Sequence, residues 1–369
     1  MTDPRIEKLA KLLVNYSLGI EKGQHLMIRS TALAEPLVEA VYKQAILAGA
    51  HVSTNIGLAN LQEIFYKHAS DEQLEYLQPL QEFVTENFDA FLAIGADFNT
   101  KALAGVDPAR IAKNRKATAK NQTRFMERAA KGELRWCYTE FPTHASAQEA
   151  GLSLSEFSEF VVGAGLLHLD NPVSEWQRID QEQEKICRWL EAKSRLRIVS
   201  TDTDISMSIA DRKWINCSGR ENFPDGEIFT GPVEDTVNGH IRFSFPGIYA
   251  GKEIEDIRLE FKDGKVVNAS AAKGEDLLHA LLDTDEGARY VGEVAVGTNF
   301  GIQRFSRNML FDEKIGGTVH LAIGASYPES GGKNESGIHW DMLCDMRTGG
   351  EIYADDELIY KDGKFTIQP

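Results

Sequence analysis

The chain has 369 residues and a mass of 41.0 kDa, with 42% hydrophobic and 26% charged residues, the composition of a globular protein and not of a disordered chain or a coiled-coil rod. Acidic residues outnumber basic ones by 56 to 40, giving a net charge of −16 and a pI near 5.1, which argues against the Lys- and Arg-rich surfaces that neutralise nucleic-acid phosphates or anionic membranes. The length suggests two domains, and no apolar run reaches the roughly 20 residues that span a bilayer.

Met1 to Glu7 show no basic segment leading into an apolar one, so a cytoplasmic protein is expected. From there, Ile6, Leu9, Leu12, Leu13 and Tyr16 recur at helical spacing and predict a helix over 3–17. A short strand at His25–Arg29, a helix from Ala34 to Ala48 and a strand from His51 to Ile56 follow. Helical patterns continue over 59–68 and 72–86. The run Ala90-Phe91-Leu92-Ala93-Ile94-Gly95 reads as a strand covered on both faces. A polar helix over 107–131, a strand at Leu134–Tyr138 and helices over 153–168 and 173–195 complete this half. Such alternation predicts a Rossmann-like α/β domain with a mostly parallel sheet.

The texture changes near residue 196. Strand-like runs dominate at Leu196–Ser200, Trp214–Cys217, Gly239–Phe245, Ile257–Phe261, Tyr290–Val296 and Val319–Ile323, with one helix over 275–284. Lys262-Asp263-Gly264-Lys265 and Lys361-Asp362-Gly363-Lys364 read as hairpin turns. The boundary is placed within 185–197, giving an α/β domain over 1–190 and a β-rich α+β domain over 191–369.

Common catalytic motifs are missing. The sequence contains no P-loop, no H-E-x-x-H and no G-x-S-x-G, and Gly163-Ala164-Gly165 lacks the preceding strand of a dinucleotide fingerprint. Cys137, Cys187, Cys217 and Cys344 form no C-x-x-C pair, so neither a zinc ribbon nor a redox motif is offered, and disulfides are not expected in a reducing cytosol. The informative positions are charged or imidazole groups that interrupt apolar strands. Glu293 sits in Val291-Gly292-Glu293-Val294-Ala295-Val296, and His320 in Thr318-Val319-His320-Leu321-Ala322-Ile323. A buried carboxylate needs a strong partner, which for Glu293 is either Arg289 or Arg304 in an ordinary ion pair, or a functional group. A histidine such as His320 is more commonly bonded to a core carbonyl. His339 and Asp341, at i and i+2, project from one face of a strand. Glu227 follows the turn Pro224-Asp225-Gly226, where a solvated charge is the ordinary outcome. Glu313 lies in the charge run Asp312-Glu313-Lys314, which reads as exposed.

Together, Glu227, Glu293, Glu313, His320, His339 and Asp341 carry four carboxylates and two neutral imidazoles, a charge that two divalent cations would cancel. Oxygen-rich ligation with some nitrogen and no thiolate suits Zn²⁺, Co²⁺, Mn²⁺ or Mg²⁺. Six ligands exceed what one open catalytic zinc site uses and suit a pair of ions with an activated water.

The stretch Asn222-Phe223-Pro224-Asp225-Gly226-Glu227-Ile228-Phe229-Thr230-Gly231-Pro232-Val233-Glu234-Asp235-Thr236-Val237-Asn238-Gly239 resembles the signature of the aminopeptidase T / aminopeptidase S family of metallopeptidases. Gly292–Gly297 and Gly317–Pro328 are similar to its later blocks, and the resemblance runs over essentially the whole chain. It implies a homodimeric, dinuclear metal aminopeptidase acting on peptides with a free N-terminus, with the metals in the C-terminal domain. By residue, it implies metal ligation by Glu227, Glu293, Glu313, His320, His339 and Asp341. Glu293 is expected to bridge the ions and manage the water's proton, and Tyr327 to donate to the oxyanion. The Lys314–Val319 segment is longer than the family pattern and the Gly-rich Pro328–Ile338 loop shorter, so the reach of Glu313 and the substrate preference stay open. A metal-dependent amidase or dipeptidase on a small amide, or a non-enzymatic metal scaffold, would use the same ligand set.

Overall fold

Strands His51–Gly57, His25–Thr31, Ala90–Gly95, Arg135–Glu140 and Asn222–Phe223 lie side by side in that order, all parallel. Parallel neighbours need long crossovers, and the intervening helices supply them, beginning with Glu35–Leu47. The computed structural model describes residues 3–249 and 251–367. They form two units: residues up to Val173 with Gly219–Pro224, and Ser174–Ser218 with the residues from Asp225 onward. No helix among the described residues is long and apolar enough to cross a membrane.

In the first unit one sheet face is a packed core, with Leu26, Ile28, Leu92, Ile94 and Cys137 buried, as are Leu9, Leu12, Leu37 and Val41 of helices Pro4–Leu12 and Glu35–Leu47. The opposite face is different. Phe91, Ala93, Trp136 and Tyr138 are only half-buried and Arg29 is exposed, so the strand Ala90–Gly95 is not fully covered on both sides as its apolar run predicts. The helix expected over 3–17 is α-helical to Leu12 and then widens into a π-helical turn at Leu13–Ser17. The single helix expected over 72–86 is two, Asp71–Leu74 and Pro79–Asn87. Pro79 has no N–H to give a preceding turn and begins a new helix instead. The strand Arg135–Glu140 leads into an additional short helix, His144–Glu149, capped by Thr143.

The second unit holds an eight-stranded and a five-stranded sheet, both antiparallel, and a two-stranded ribbon. Both Asp-Gly turns form the hairpins expected of them, joining Arg258–Lys262 to Lys265–Ser270 and Glu357–Lys361 to Lys364–Phe365. One buried cluster joins the sheets: Leu196, Ile198, Ile205, Ile241 and Leu259 from the larger, with Ile228, Val294, Leu321 and Met342 from the smaller. Each such side chain contributes about 1.5–3 kcal/mol on burial. The division between units falls at 173/174, whereas the change of texture places it at 190/191. The difference is the helix Pro172–Glu191. Its Cys187 and Leu190 belong to the second unit's core, and its Gln183 donates to the carbonyl oxygens of Cys217 (3.0 Å) and Glu227 (2.9 Å).

Candidate metal centre

The five-stranded sheet runs His339–Asp345, Thr318–Gly324, Val291–Gly297, Glu227–Thr230, Ile215–Cys217. Its two faces have opposite chemistry because side chains alternate along each strand. Val294, Val296, Val319, Leu321, Ile323, Trp340 and Met342 turn into the core cluster. The alternate positions are Glu227, Glu293, His320, His339 and Asp341, separated by small residues such as Ala295, Ala322 and Gly324. Register brings the charged groups together. Ala322 pairs with Glu293 on one side and with Asp341 on the other, His320 with Ala295, and His339 with Gly324. An irregularity between Val291 and Glu293 shifts the register by one residue at Gly292, a common device for re-aiming a side chain beside a site.

The turn that delivers Glu227 depends on glycine. Gly226 has φ +119°, and a Cβ there would stand 2.8 Å from that of Asn299. Thr298 N–H donates to the Gly226 carbonyl at 2.8 Å, and Asn299 Nδ2 to that of Asp225 at 2.7 Å. Glu227 is thereby buried, not the solvated turn charge its sequence setting suggests.

His320 Nε2 lies 3.2 Å from Glu293 Oε1 and 3.3 Å from Glu227 Oε2. His339 Nε2 lies 3.5 Å from Glu293 Oε2 and 3.6 Å from Asp341 Oδ1. The His339 Nδ1–H donates to the Ala325 carbonyl at 2.7 Å, which leaves Nε2 directed at the carboxylates. Glu293 therefore pairs with neither Arg289 nor Arg304 in these contacts; Arg289 binds Asp283 at 2.6 Å. Glu313 joins the cluster through His320 and Asp341, with one ligand atom from each of the three lying within 4.8 Å of the others. All six residues singled out in the sequence thus face one another. Tyr327 lies at their edge, its ring centroid 4.9 Å from that of His339 and 5.3 Å from that of Phe229.

Two charged groups escaped the sequence reading. The charge run Asp312-Glu313-Lys314 is not exposed: Asp312 and Lys314 are fully buried. The ammonium of Lys314 contacts Glu313 and lies 3.4 Å from Glu227 and 4.0 Å from Asp225. The one sequence signal is that Lys314 is followed directly by apolar Ile315, which is itself fully buried. Asp225 (−1) and Lys314 (+1) cancel, so the cluster keeps the −4 of its four other carboxylates when the imidazoles are neutral.

Electrostatics follow from this crowding. Burial disfavours the imidazolium of His320, but the Glu293 hydrogen bond and the Glu227 charge outweigh it and raise its pKa to about 9. His339, likewise opposed by burial, is raised to about 10 by Asp341 and Glu293. Burial raises Glu293, and raises Glu313 to about 8 despite Lys314. Asp341 resists burial and is held low by the two imidazoles and Lys314. Burial and four nearby carboxylates push the Tyr327 phenol upward, which keeps it protonated.

The donor set fits a metal. Glu227 Oε2, Asp341 Oδ1 and His320 Nδ1 are buried without a hydrogen bond, each an unmet group costing about 1–3 kcal/mol. With the imidazoles neutral, as metal ligation requires, the four carboxylates would leave acidic charge uncompensated at that depth, which is more expensive still. Carboxylate oxygens with imidazole nitrogens are ligands for divalent cations, and those cations would meet both needs. These side chains together form a site fit to hold divalent metal.

The comparisons agree. The family model described as thermophilic metalloprotease (M29) matches residues 2–365, and the chain belongs to that family. It is 30% identical to "Aminopeptidase 2" of Geobacillus stearothermophilus, over 98% of this chain and 95% of that one. It is 29% identical to "Aminopeptidase AmpS" of Bacillus subtilis, over 98% of both. The solved structure of wild-type AmpT from Thermus thermophilus superposes with a TM-score of 0.86 at 26% identity, covering 99% of each chain. A dioxygenase from Pseudomonas putida shares the fold, with a TM-score of 0.62 at 14% identity and 98% and 97% of the two chains covered, so the fold by itself does not fix the chemistry.

Proposed function

We propose that this chain is an aminopeptidase that removes the N-terminal residue from peptides with the help of two divalent ions. What carries the reading is the convergence of Glu227, Glu293, Glu313, His320, His339 and Asp341 on one buried sheet face in a chain whose curated relatives bear aminopeptidase names. Glu227, Glu293 and His320 would hold one ion, and Glu293, His339 and Asp341 the other, with Glu313 beside His320 and Asp341. Glu293 is common to both groups and is the residue proposed to bridge. Bound there, the ions would lower the pKa of a water and polarise the scissile carbonyl.

The chain's own groups do the rest. Glu293 is the residue proposed to accept the water's proton and return it to the departing amine. The protonated Tyr327 phenol donates to the oxygen that becomes negative. A carboxylate of the cluster receives the substrate's free α-ammonium, which restricts cleavage to the first residue. Leucyl p-nitroanilide and its N-acetyl form separate this reading from a general amidase: only the free amine should turn over. Chelation should abolish turnover, and re-addition of a divalent metal should restore it. Equal rates on both anilides would favour the amidase, and no turnover in a fully loaded chain would favour a scaffold.

A further inference from the structure

The first unit contains a cavity of about 740 Å³, within the range of small-molecule sites. None of the acidic cluster's residues lines it. Its floor is the incompletely covered face of the parallel sheet, formed by Arg29, Phe91, Ala93, Trp136 and Tyr138. Its wall is the helix Pro108–Ala130. A helix packed on a sheet ordinarily turns an apolar stripe inward. Here the inward positions are Asn114, Thr118, Asn121 and Phe125, all lining the cavity. Phe125 meets the sheet with an apolar surface, its ring edge-on to Phe91 at 5.7 Å. Asn114 is used within the protein, accepting from the Tyr66 hydroxyl at 3.2 Å and donating to the Leu74 carbonyl at 2.8 Å, and the Thr118 hydroxyl lies 3.1 Å from the Asn114 carbonyl of its own helix, which leaves the amides of Asn121 and Gln122 on the lining to meet a ligand.

The charge identifies what. Arg29 is the one guanidinium on the cavity lining. Its planar group lies 5.3 Å from the Phe91 ring centre. Among the described residues no carboxylate approaches it closely enough to affect its charge; its one electrostatic neighbour is the Tyr138 phenol. It reaches solvent through the open cavity, yet the atoms around it crowd it enough to pull its pKa down. Without an ion pair to any carboxylate among the described residues, this guanidinium is free to take an external anion; Glu140, beyond Tyr138, accepts from the Tyr138 hydroxyl at 3.1 Å. Guanidinium pairs well with carboxylate or phosphate, and Phe91, Trp136 and Phe125 supply flat apolar surface.

We propose that this cavity is a ligand site for a small aromatic anion, with Arg29 holding the carboxylate or phosphate, the aromatic side chains stacking on the ring, and the amides of Asn121 and Gln122 bonding its polar edges. The site stands apart from the peptidase reading and survives its failure. The test is calorimetric titration of the metal-loaded full chain with hydrocinnamate, phenyl phosphate and neutral hydrocinnamide. One of the two anions should bind saturably, and the better binder names the anionic group. Hydrocinnamide should bind at least tenfold more weakly. Arg29→Gln should weaken the anion at least tenfold. Ala93→Leu, which keeps the charge but fills the floor, should weaken all probes. Far-UV circular dichroism verifies each fold; if Arg29→Gln does not fold, the neutral probe and Ala93→Leu still decide. No saturable binding by either anion overturns the proposal, as does binding that both variants leave unchanged, since an anion captured by the metal centre would ignore them.

Discussion

Ala322 is the residue on which the geometry of the centre can be tested without touching a ligand. It pairs with Glu293 on one neighbouring strand and Asp341 on the other and is fully buried. Directly opposed Cβ atoms stand about 4.5–5.5 Å apart, so those of Glu293 and Asp341 straddle the Ala322 methyl at roughly twice that distance. Their carboxylates nonetheless come, with His339, within 4.8 Å, which requires both side chains to lean over that methyl. Ala322→Val inserts two methyl groups into the gap. Overpacking costs about 1–3 kcal/mol, a thermal shift of several degrees in a chain of this size. The displaced carboxylates should weaken metal binding by about ten- to a hundredfold, the scale of disturbing ligand orientation. Ile323→Ala is the control. It empties the opposite, core-facing side, should cost about 2–5 kcal/mol, and should leave metal content intact at moderate temperature. Elemental analysis, melting curves and leucyl anilide turnover read the three quantities. An Ala322→Val chain that melts lower yet keeps full metal and activity would refute the convergence of Glu293 and Asp341 across this residue.

Three further outcomes are expected. Tyr327→Phe removes the proposed oxyanion donor and should reduce kcat about 10²–10³-fold with little change in KM; a raised KM at constant kcat would make it a substrate-binding group. In the metal-free chain His320 and His339, with pKa values of about 9 and 10, are protonated at pH 7, whereas ligation needs neutral nitrogen. Metal uptake should therefore release two or more protons and tighten as pH rises from 6 to 8, seen by calorimetry in buffers of different ionisation enthalpy; pH-independent uptake would contradict it. Asp312 is raised by burial to about 7, although it accepts Ser306 N at 2.6 Å and Ser306 Oγ at 2.8 Å. Its neutral form favours the fold below the unfolded carboxyl's pKa, and that benefit is lost as pH climbs through 4 to 7. Asp312→Asn, which keeps an acceptor and cannot ionise, should gain in melting temperature relative to the parent over that window and hold a constant lead above it. A difference that does not vary with pH would mean Asp312 stays ionised in the fold.

Much of the fold is legible in the sequence because strands such as Ala90–Gly95, an apolar run, and His25–Thr31, with its Leu26-Met27-Ile28 centre, stand between helical patterns, and parallel packing follows from that alternation. The site is legible for the converse reason. Glu293 and His320 stand where apolar residues belong, and a strand that buries both faces tolerates such groups only with partners. Lys314 was hidden because adjacent charges look alike whether they face solvent or one another; only the fold shows its ammonium between Glu313 and Glu227. The polar inner stripe of Pro108–Ala130 was hidden too, since a helix rich in Asn, Gln and Thr reads as solvent-facing until its partner sheet is seen.

The convergence of the six acidic and imidazole groups on a paired-ion centre is tested most directly by anomalous diffraction at the absorption edge of the bound metal. Two peaks per chain are expected, about 3.5–4 Å apart, with Glu293 touching both and Glu227, Glu313, His320, His339 and Asp341 completing their shells. A single peak, or peaks remote from these side chains in a fully loaded and active crystal, would contradict it.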